Sequence, residues 1–128
     1  VLEVKLIGPF RLTKLLLPGM LLRGRGTVVH VGSDAAVSAY PNWGAYGVSK
    51  AAFAHLARIW NEEVRAEEVR FVAIDPGDMA TPMHFAAVPG ADAFQLQTPE
   101  AAARKLMESV FTPERSTNEA GQVSAQAE

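Results

Sequence analysis

The sequence lacks several features that would place it in well-known classes. It contains no cysteine, which excludes a disulfide framework and a thiolate metal site. Its net charge of −2 over 128 residues leaves no excess of positive charge for nucleic acid or an anionic membrane surface. The longest apolar run, residues 15–22, is too short to span a bilayer and is interrupted by Pro18 and Gly19. We therefore expect a globular protein without nucleic-acid or membrane partners, with the cytoplasm as its default location.

Histidines are few and scattered. His30, His55 and His84 are too far apart in the sequence for a metal-binding motif, so no metal site is predicted. His30 falls in a strand pattern and His55 in a helical pattern, where a structural role is expected for each ring. His84 follows a Pro-Gly turn, and both a place in a substrate pocket and a purely structural role stay open for it.

What the sequence does contain is an alternation of helix and strand patterns. Helices are predicted at residues 1 to about 22, 45 to about 65 and 101–110, strands at 26–31 and 70–74, and a loop or short helices at 82–98. Thr98 and Pro99 are expected as the N-cap and first residue of the last helix. The tail, 112–128, is polar apart from a possible last strand at 122–125. This alternation indicates an α/β fold with a parallel sheet covered by helices.

Each of the two long helices is expected to bury one apolar side. On the first helix these residues are Leu6, Phe10, Leu15, Leu16 and Leu22. On the second they are Val48, Ala52, Phe53, Leu56, Ile59 and Trp60.

The most informative residues are a tyrosine and a lysine near the start of the second long helix. Tyr46 and Lys50 are four residues apart, so they lie one turn apart on the same helix face. A tyrosine hydroxyl titrates at about 10 in water, and a nearby ammonium brings this value closer to the working range. Ser33, behind a strand pattern, would hold a substrate oxygen beside the phenol. Such a site moves a proton to or from a carbonyl or alcohol oxygen, and a cofactor would have to move the hydride.

The tyrosine and lysine alone would fit a solvated helix face, but the surrounding sequence makes the pattern specific. A small polar segment at 34–43 joins Ser33 to the helix, and the second strand runs directly into Pro76-Gly77 and then Thr81. With these motifs, and with the stretch 4–10 and with Pro18 and Gly26, nearly the whole chain resembles the short-chain dehydrogenase/reductase family. The resemblance implies a Rossmann-like doubly wound parallel sheet, of which residues 1–128 would be the C-terminal part of one domain.

The resemblance also implies a function, that of an NAD(P)-dependent oxidoreductase interconverting a carbonyl and an alcohol. In such families the tyrosine is the general acid/base, the serine orients the substrate oxygen, and the lysine lowers the tyrosine's pKa and binds the nicotinamide ribose. By resemblance these roles fall on Tyr46, Ser33 and Lys50. Pro76, Gly77 and Thr81 would border the nicotinamide. The choice between NAD and NADP and the identity of the small carbonyl or alcohol substrate stay open.

Glycine is missing where the resemblance would require it most. The family opens with a strand and a glycine-rich turn that presents a helix N-terminus to the cofactor pyrophosphate. Neither Gly24 with Gly26 nor Gly44 with Gly47 follows a strand and precedes a helix in that form. The first half of the domain is therefore expected to be absent. This leaves two alternatives to an active enzyme: a non-catalytic interaction module and an inactive fragment.

A second departure is Lys5, at a position where the family usually has an asparagine that helps to hold a water near the active-site lysine. An ammonium has donors and no acceptor, so it cannot replace an amide that uses its carbonyl. Lys5 would either place a second positive charge near Lys50 or extend to the surface. We expect the first arrangement to weaken proton relay without abolishing activity.

Two further expectations come from the resemblance. The segment 78–97 would be a lid over the substrate, and its apolar residues would either line a pocket or only pack the lid down. The two long helices match those that form subunit contacts in the family. Leu21, Ala51 and Ala54 on these helices would fit a homo-oligomer, and the strand before Ser33 would have an unpaired edge.

Overall fold

The structure is a computed structural model that describes residues 1–111 and 122–124. After a π-helical turn, Glu3–Ile7, the helices are α1 (Gly8–Arg23), α2 (Gly44–Glu63), α3 (Pro82–Ala87) and α4 (Pro99–Phe111), and the strands are β1 (Gly26–Val31), β2 (Val69–Asp75) and β3 (Gln122–Ser124). Short 3-10 turns lie at Asp34–Ala36 and Ala93–Gln95. Across the described residues, no helix is long and apolar enough to cross a membrane.

The strands form a parallel sheet in the order β1-β2-β3 within the described part of the chain. The register pairs Gly26 with Val69 at one end of β1 and Val31 with Ile74 at the other. β2 pairs on its other side with β3. A parallel sheet with intervening helices is the α/β architecture that the sequence predicts, and among the described strands β1 lies at the edge.

The core lies where α2 packs on the sheet. Its buried members are Phe53, Ala57, Trp60, Val64, Val69 and Phe71. Trp60 is central, with its ring centroid 5.7 Å from that of Phe10 on α1 and 5.0 Å from that of Phe71 on β2. This cluster fixes α2, and therefore Tyr46 and Lys50, relative to both strands.

The predicted apolar faces are partly wrong. Leu6 and Phe10 pack against the core as predicted, but Leu15, Leu16 and Leu22 are 79%, 51% and 90% exposed. The other residues of α1 that reach the core are Leu17, Met20 and Leu21. On α2, Val48 and Ile59 are likewise exposed. The leucine-rich run of α1 offers apolar side chains on all sides, so its pattern alone does not select the buried one.

An asparagine that the sequence pattern does not mark fastens α2 to β2. The side-chain amide of Asn61 donates to the Phe71 carbonyl oxygen at 2.6 Å and accepts from the Phe71 N–H at 2.7 Å. Phe71 is thereby bound through both backbone groups to the helix that carries the candidate site, in addition to its place in the core.

Candidate active site at the carboxyl ends of the strands

The candidate residues lie at one edge of the sheet. Ser33 follows the carboxyl end of β1, and Pro76 and Gly77 follow the carboxyl end of β2. Lys50, in the second turn of α2, reaches the same edge, because its Nζ donates to the carbonyl oxygen of Val31 at 2.7 Å. In open parallel sheets this edge is where ligands bind.

Lys50 is buried, with 9% of its surface exposed, and its ammonium lies 5.5 Å from the centre of the Tyr46 ring. Burial lowers the pKa of Lys50, the positive charge of Lys5 lowers it further, and the carboxylate of Asp75 opposes both effects. The amino acids predicted to be one turn apart on α2 are thus brought together, with a cation held beside the phenol.

Tyr46 is half-buried and rests against a second aromatic ring. Its ring meets that of Trp43 edge-on, with centroids 5.6 Å apart and an interplanar angle of 89°. Among the described residues the Tyr46 hydroxyl makes no hydrogen bond. The hydroxyl is therefore available to a ligand, while packing holds the ring.

Ser33 lies at the predicted place but its hydroxyl is engaged locally. It caps the 3-10 turn Asp34–Ala36 by accepting from the Ala35 N–H at 3.2 Å, and it donates to Asp34 Oδ1 at 3.2 Å. The other oxygen of Asp34 accepts the hydroxyl of Tyr40. This hydrogen bond, together with the Asp34 charge, raises the pKa of Tyr40. In the described part of the chain no hydrogen bond joins Ser33 to Tyr46, so Ser33 would have to redirect its proton from Asp34 to bind a substrate oxygen.

The Pro76-Gly77 turn is held from both sides. The Gly77 N–H donates to Asp75 Oδ1 at 2.9 Å, and the side-chain amide of Gln97 donates to the Pro76 carbonyl oxygen. Gly77 has a φ of 76°, and a Cβ at this position would lie 3.0 Å from Gln97 Nε2. The positive φ favours glycine here, because other residues are strained in this conformation. The sequence predicted the turn, whereas the anchoring by Gln97 was not foreseen.

Thr81 begins the next helix. Its side-chain oxygen accepts from the His84 N–H at 3.1 Å and caps α3. His84 is half-buried, and its Nδ1 lies 3.7 Å from Asp78 Oδ1. None of the described hydrogen bonds links Thr81 or His84 to Tyr46 or Lys50. The roles of both residues toward a ligand stay predictions.

His30 is a neighbour of the site that no sequence motif marks. Its ring stacks on Phe53 of α2 with centroids 4.0 Å apart, and its Nε2 is buried without a hydrogen-bond partner among the described residues. Burial and then the charge of Lys50 lower the pKa of His30 to about 4. The ring is therefore neutral at physiological pH.

Two of the cavities lined by described residues differ in their positions. A cavity of about 510 Å³ is lined by Gly26, Thr27 and Val69 at the amino ends of the strands, away from the candidate site. A cavity of about 310 Å³ lies beside α2, lined in part by Trp43 and Gly47, which flank Tyr46 in sequence. The larger of these cavities lies at the end of the sheet opposite the candidate site. Within the described residues, no cluster of histidine and carboxylate side chains is arranged to hold a metal ion.

Comparison with models of protein families shows which family the chain belongs to. The family model for short chain dehydrogenases matches residues 1–90. The chain belongs to this family. The match includes β1, α2, β2 and every residue predicted for the site. It agrees with the sequence resemblance and with the Rossmann-like parallel sheet.

Individual relatives differ widely in what they act on. The 3-oxoacyl-(acyl-carrier-protein) reductase of Thermotoga maritima is 31% identical over 83 residues, which cover 65% of this chain and 34% of the reductase. The human 11-beta-hydroxysteroid dehydrogenase type 2 is 44% identical over 80 residues, covering 62% of this chain and 20% of that enzyme. A solved Escherichia coli short chain dehydrogenase, complexed with NADPH, superposes with a TM-score of 0.81 at 27% identity. The superposition covers 99% of this chain and 52% of the Escherichia coli chain. The chain therefore spans about half of that structure and less of the two curated relatives.

Proposed function

We propose that this protein is a nicotinamide-dependent oxidoreductase that interconverts a carbonyl and an alcohol, with Tyr46 as the general acid/base. The observation that carries the proposal is the pairing of a Tyr46 hydroxyl that has no partner among the described residues with the buried ammonium of Lys50, 5.5 Å from the ring. Membership of the short chain dehydrogenase family supports the same reaction class.

Proton movement in this proposal belongs to Tyr46. In carbonyl reduction its hydroxyl gives a proton to the substrate oxygen, and in alcohol oxidation the phenolate takes that proton back. Lys50 stabilises the phenolate by charge. Ser33 would donate to the same substrate oxygen after releasing Asp34 Oδ1, its present acceptor at 3.2 Å. The substrate oxygen would then lie between the hydroxyl groups of Ser33, at the carboxyl end of β1, and Tyr46.

The donors at this edge fit a nicotinamide ribose. The Lys50 ammonium has three N–H donors, and the structure uses one of them for Val31, so the remaining donors can bind ribose hydroxyls. Pro76, Gly77 and Thr81 would border the nicotinamide ring, with Tyr46 near the ribose. NAD or NADP, when bound, supplies the hydride that the protein's own side chains cannot. The NADPH in the Escherichia coli relative supports a cofactor of this class without choosing between the two.

The substrate is proposed at the level of a small carbonyl compound or secondary alcohol. Residues 78–97 would form the wall or lid that selects it, and Met83 and Phe94 in this segment are exposed. A homo-oligomer also stays a proposal. Of the residues predicted for subunit contacts, Ala54 is buried within one chain and is not available to a second subunit, whereas Leu21 is only partly buried against the core.

The second candidate function is a non-catalytic interaction module. For both candidates we propose that residues 1–128 are the C-terminal part of one Rossmann-type domain. The exposed Leu15, Leu16 and Leu22 of α1 favour it, because such a run of apolar surface marks a contact with another chain. An interaction module requires no chemistry from Tyr46. The two candidate functions therefore predict different effects of a Tyr46 substitution on turnover.

The test compares two single variants, each of which removes the hydroxyl group from one of the two tyrosines. The purified protein is assayed for oxidation of NADH and NADPH with a panel of ketones and aldehydes. Tyr46→Phe should lower kcat by about 10²- to 10⁴-fold, the usual contribution of a positioned acid/base. Tyr40→Phe is the matched control and should lose much less. Equal rates for Tyr46→Phe and the unmodified protein would reject the proposal, and no turnover with any carbonyl would favour the interaction module.

A further inference from the structure

The Asp34 carboxylate accepts hydrogen bonds from two side-chain hydroxyl groups, one on each oxygen. Oδ1 accepts the Ser33 hydroxyl at 3.2 Å, and Oδ2 accepts the Tyr40 hydroxyl. Ser33 directly precedes Asp34 in the sequence, and Tyr40 follows it in the loop that leads to α2. Asp34 therefore connects the serine proposed to bind the substrate oxygen to a tyrosine outside the proposed catalytic set.

The Tyr40 ring belongs to a row of three aromatic rings that ends at Tyr46. Its centroid lies 5.2 Å from that of Trp43, and the Trp43 centroid lies 5.6 Å from that of Tyr46. The backbone supports this row, because the Trp43 N–H donates to the Tyr40 carbonyl oxygen at 3.2 Å and the Gly47 N–H donates to the Trp43 carbonyl oxygen at 2.7 Å. The packed rings restrain the Tyr40 ring, and its hydroxyl in turn restrains the Asp34 carboxylate.

The place of the Ser33 oxygen does not depend on the Asp34 side chain. Ser33 Oγ accepts from the Ala35 N–H at 3.2 Å, and the Ser33 carbonyl oxygen accepts from the Ala36 N–H at 2.9 Å. The Asp34 carboxylate supplies the acceptor for the hydroxyl proton. A serine hydroxyl has one proton, so it cannot be donated to a substrate oxygen while Asp34 accepts it.

The geometry of the Ser33–Asp34 hydrogen bond allows a substrate oxygen to replace the carboxylate. O–H···O hydrogen bonds usually measure about 2.5–3.0 Å, and this one, at 3.2 Å, is longer. Asp34 is also exposed, so water can solvate its carboxylate once the serine proton has left. A carboxylate still attracts a hydroxyl proton more strongly than a neutral oxygen does. A substrate carbonyl must therefore compete with a charged acceptor.

We propose that Asp34 and Tyr40 are positioning residues for the Ser33 hydroxyl: Tyr40 anchors the Asp34 carboxylate, and the carboxylate holds the Ser33 proton until a substrate oxygen takes its place. The catalytic consequence rests on the proposed function, in which Ser33 donates to the substrate oxygen. Because the competition weakens binding of the substrate and of the transition state alike, it acts on KM more than on kcat. The raised pKa of Tyr40 agrees with a phenol that is bonded to a carboxylate.

Ultraviolet titration of tyrosine tests these contacts without cofactor or substrate. The chain has two tyrosines, so in Tyr46→Phe, which keeps the ring, phenolate absorbance reports Tyr40 alone. Asp34→Asn in this background should move the Tyr40 midpoint to lower pH, because it removes the charge that opposes the phenolate. Ser33→Ala should move the midpoint to higher pH, because the carboxylate then loses a competing hydroxyl donor and bonds Tyr40 more strongly.

Asp92→Asn is the matched control. Asp92 is an exposed aspartate beside another 3-10 turn, which it caps by accepting from the Phe94 N–H at 3.0 Å, and its substitution should leave the midpoint unchanged. An unchanged or raised midpoint in Asp34→Asn, or an unchanged midpoint in Ser33→Ala, would overturn the proposal. If Asp34→Asn does not fold, Asp34→Ala replaces it with the same expected direction.

Steady-state kinetics test the consequence for Ser33 where the protein turns over a carbonyl compound. Asp34→Ala should lower KM by about 2- to 10-fold, the effect of one competing hydrogen bond, with a much smaller change in kcat. Tyr40→Phe should lower KM by a smaller factor, because Asp34 stays but loses its anchor. In a Ser33→Ala background, Asp34→Ala should no longer change KM. A KM effect that persists without the serine hydroxyl would mean that Asp34 does not act through Ser33.

The titration and the kinetics separate this inference from the proposed function. A protein that turns over carbonyl compounds but lacks the Tyr40 shifts loses this inference alone. A protein that shows both shifts but no turnover with any carbonyl loses the proposed function alone.

Discussion

The two sides of the candidate site are built differently. The side formed by β1 and α2 is anchored in the core, with Lys50, Phe53 and Trp60 all buried. The side formed by residues 78–98 has few buried side chains and is held at its base by Gln97, which bonds the Pro76 carbonyl oxygen and whose own carbonyl accepts from the Ala80 N–H at 2.9 Å. The groups proposed to transfer the proton lie on the packed side. The side proposed to contact the substrate can change without disturbing them.

The largest predicted contrast in stability is between two phenylalanines. Phe53→Ala removes a ring that is 2% exposed and should lower the free energy of unfolding by about 3–5 kcal/mol. Phe94→Ala removes a ring that is 100% exposed and should change it by less than about 0.5 kcal/mol. Denaturant titration of both variants measures the contrast. Similar losses in the two would contradict the division into a packed and a loosely packed side.

Gln97 gives a smaller effect that is specific to the loosely packed side. Gln97→Ala leaves the Pro76 carbonyl oxygen without its donor and should cost about 1–3 kcal/mol. Gln95→Ala, at an exposed position in the same segment, is the control and should have almost no effect. Hydrogen exchange should show faster exchange at Ala80 in Gln97→Ala alone. Unchanged exchange there would mean that other contacts hold the segment.

The remaining predicted effect is a pH dependence at the packed side. The pKa of His30 is about 4 in the folded protein, below its ordinary value of about 6.5. Between these values the unfolded chain binds a proton that the folded chain does not, so stability is lost as the pH falls from about 6.5 toward 4. Melting temperatures at pH 7 and 5 should therefore differ less in His30→Gln than in the unmodified protein.

His55→Gln is the control for that measurement, since the His55 ring lies exposed on α2. The result that speaks against the His30 assignment is a pH dependence that persists in His30→Gln and disappears in His55→Gln.

The sequence was most informative where a property is local. The Tyr46 and Lys50 spacing, the Thr98 and Pro99 helix start and the Pro76-Gly77 turn each depend on neighbouring residues, and the structure places the elements accordingly. Thr98 accepts from the Ala101 N–H at 3.2 Å, as expected for an N-cap.

The features that escaped prediction depend on partners far away in the sequence. Asn61 and Gln97 bond backbone groups of Phe71 and Pro76, and neither residue type has a pattern that names such a partner. The buried side of α1 was misjudged for a similar reason, because Leu15 and Leu17 are equivalent until the position of Trp60 is known. The engagement of Ser33 by Asp34 is local but depends on a side-chain rotamer, which composition and spacing do not fix.

We propose that the carboxyl edge of β1 and β2 is an assembled nicotinamide site organised by Lys50. The most direct measurement is the melting temperature of the protein with saturating NADH and NADPH, compared between the unmodified protein, Lys50→Met and Lys14→Met. A ligand at a hundred times its Kd adds about 2.7 kcal/mol, which corresponds to several degrees. We expect the melting temperature to rise with at least one cofactor, and we expect Lys14→Met to keep this rise and Lys50→Met to lose it. An equal rise in Lys50→Met, or no rise with either cofactor, would contradict it.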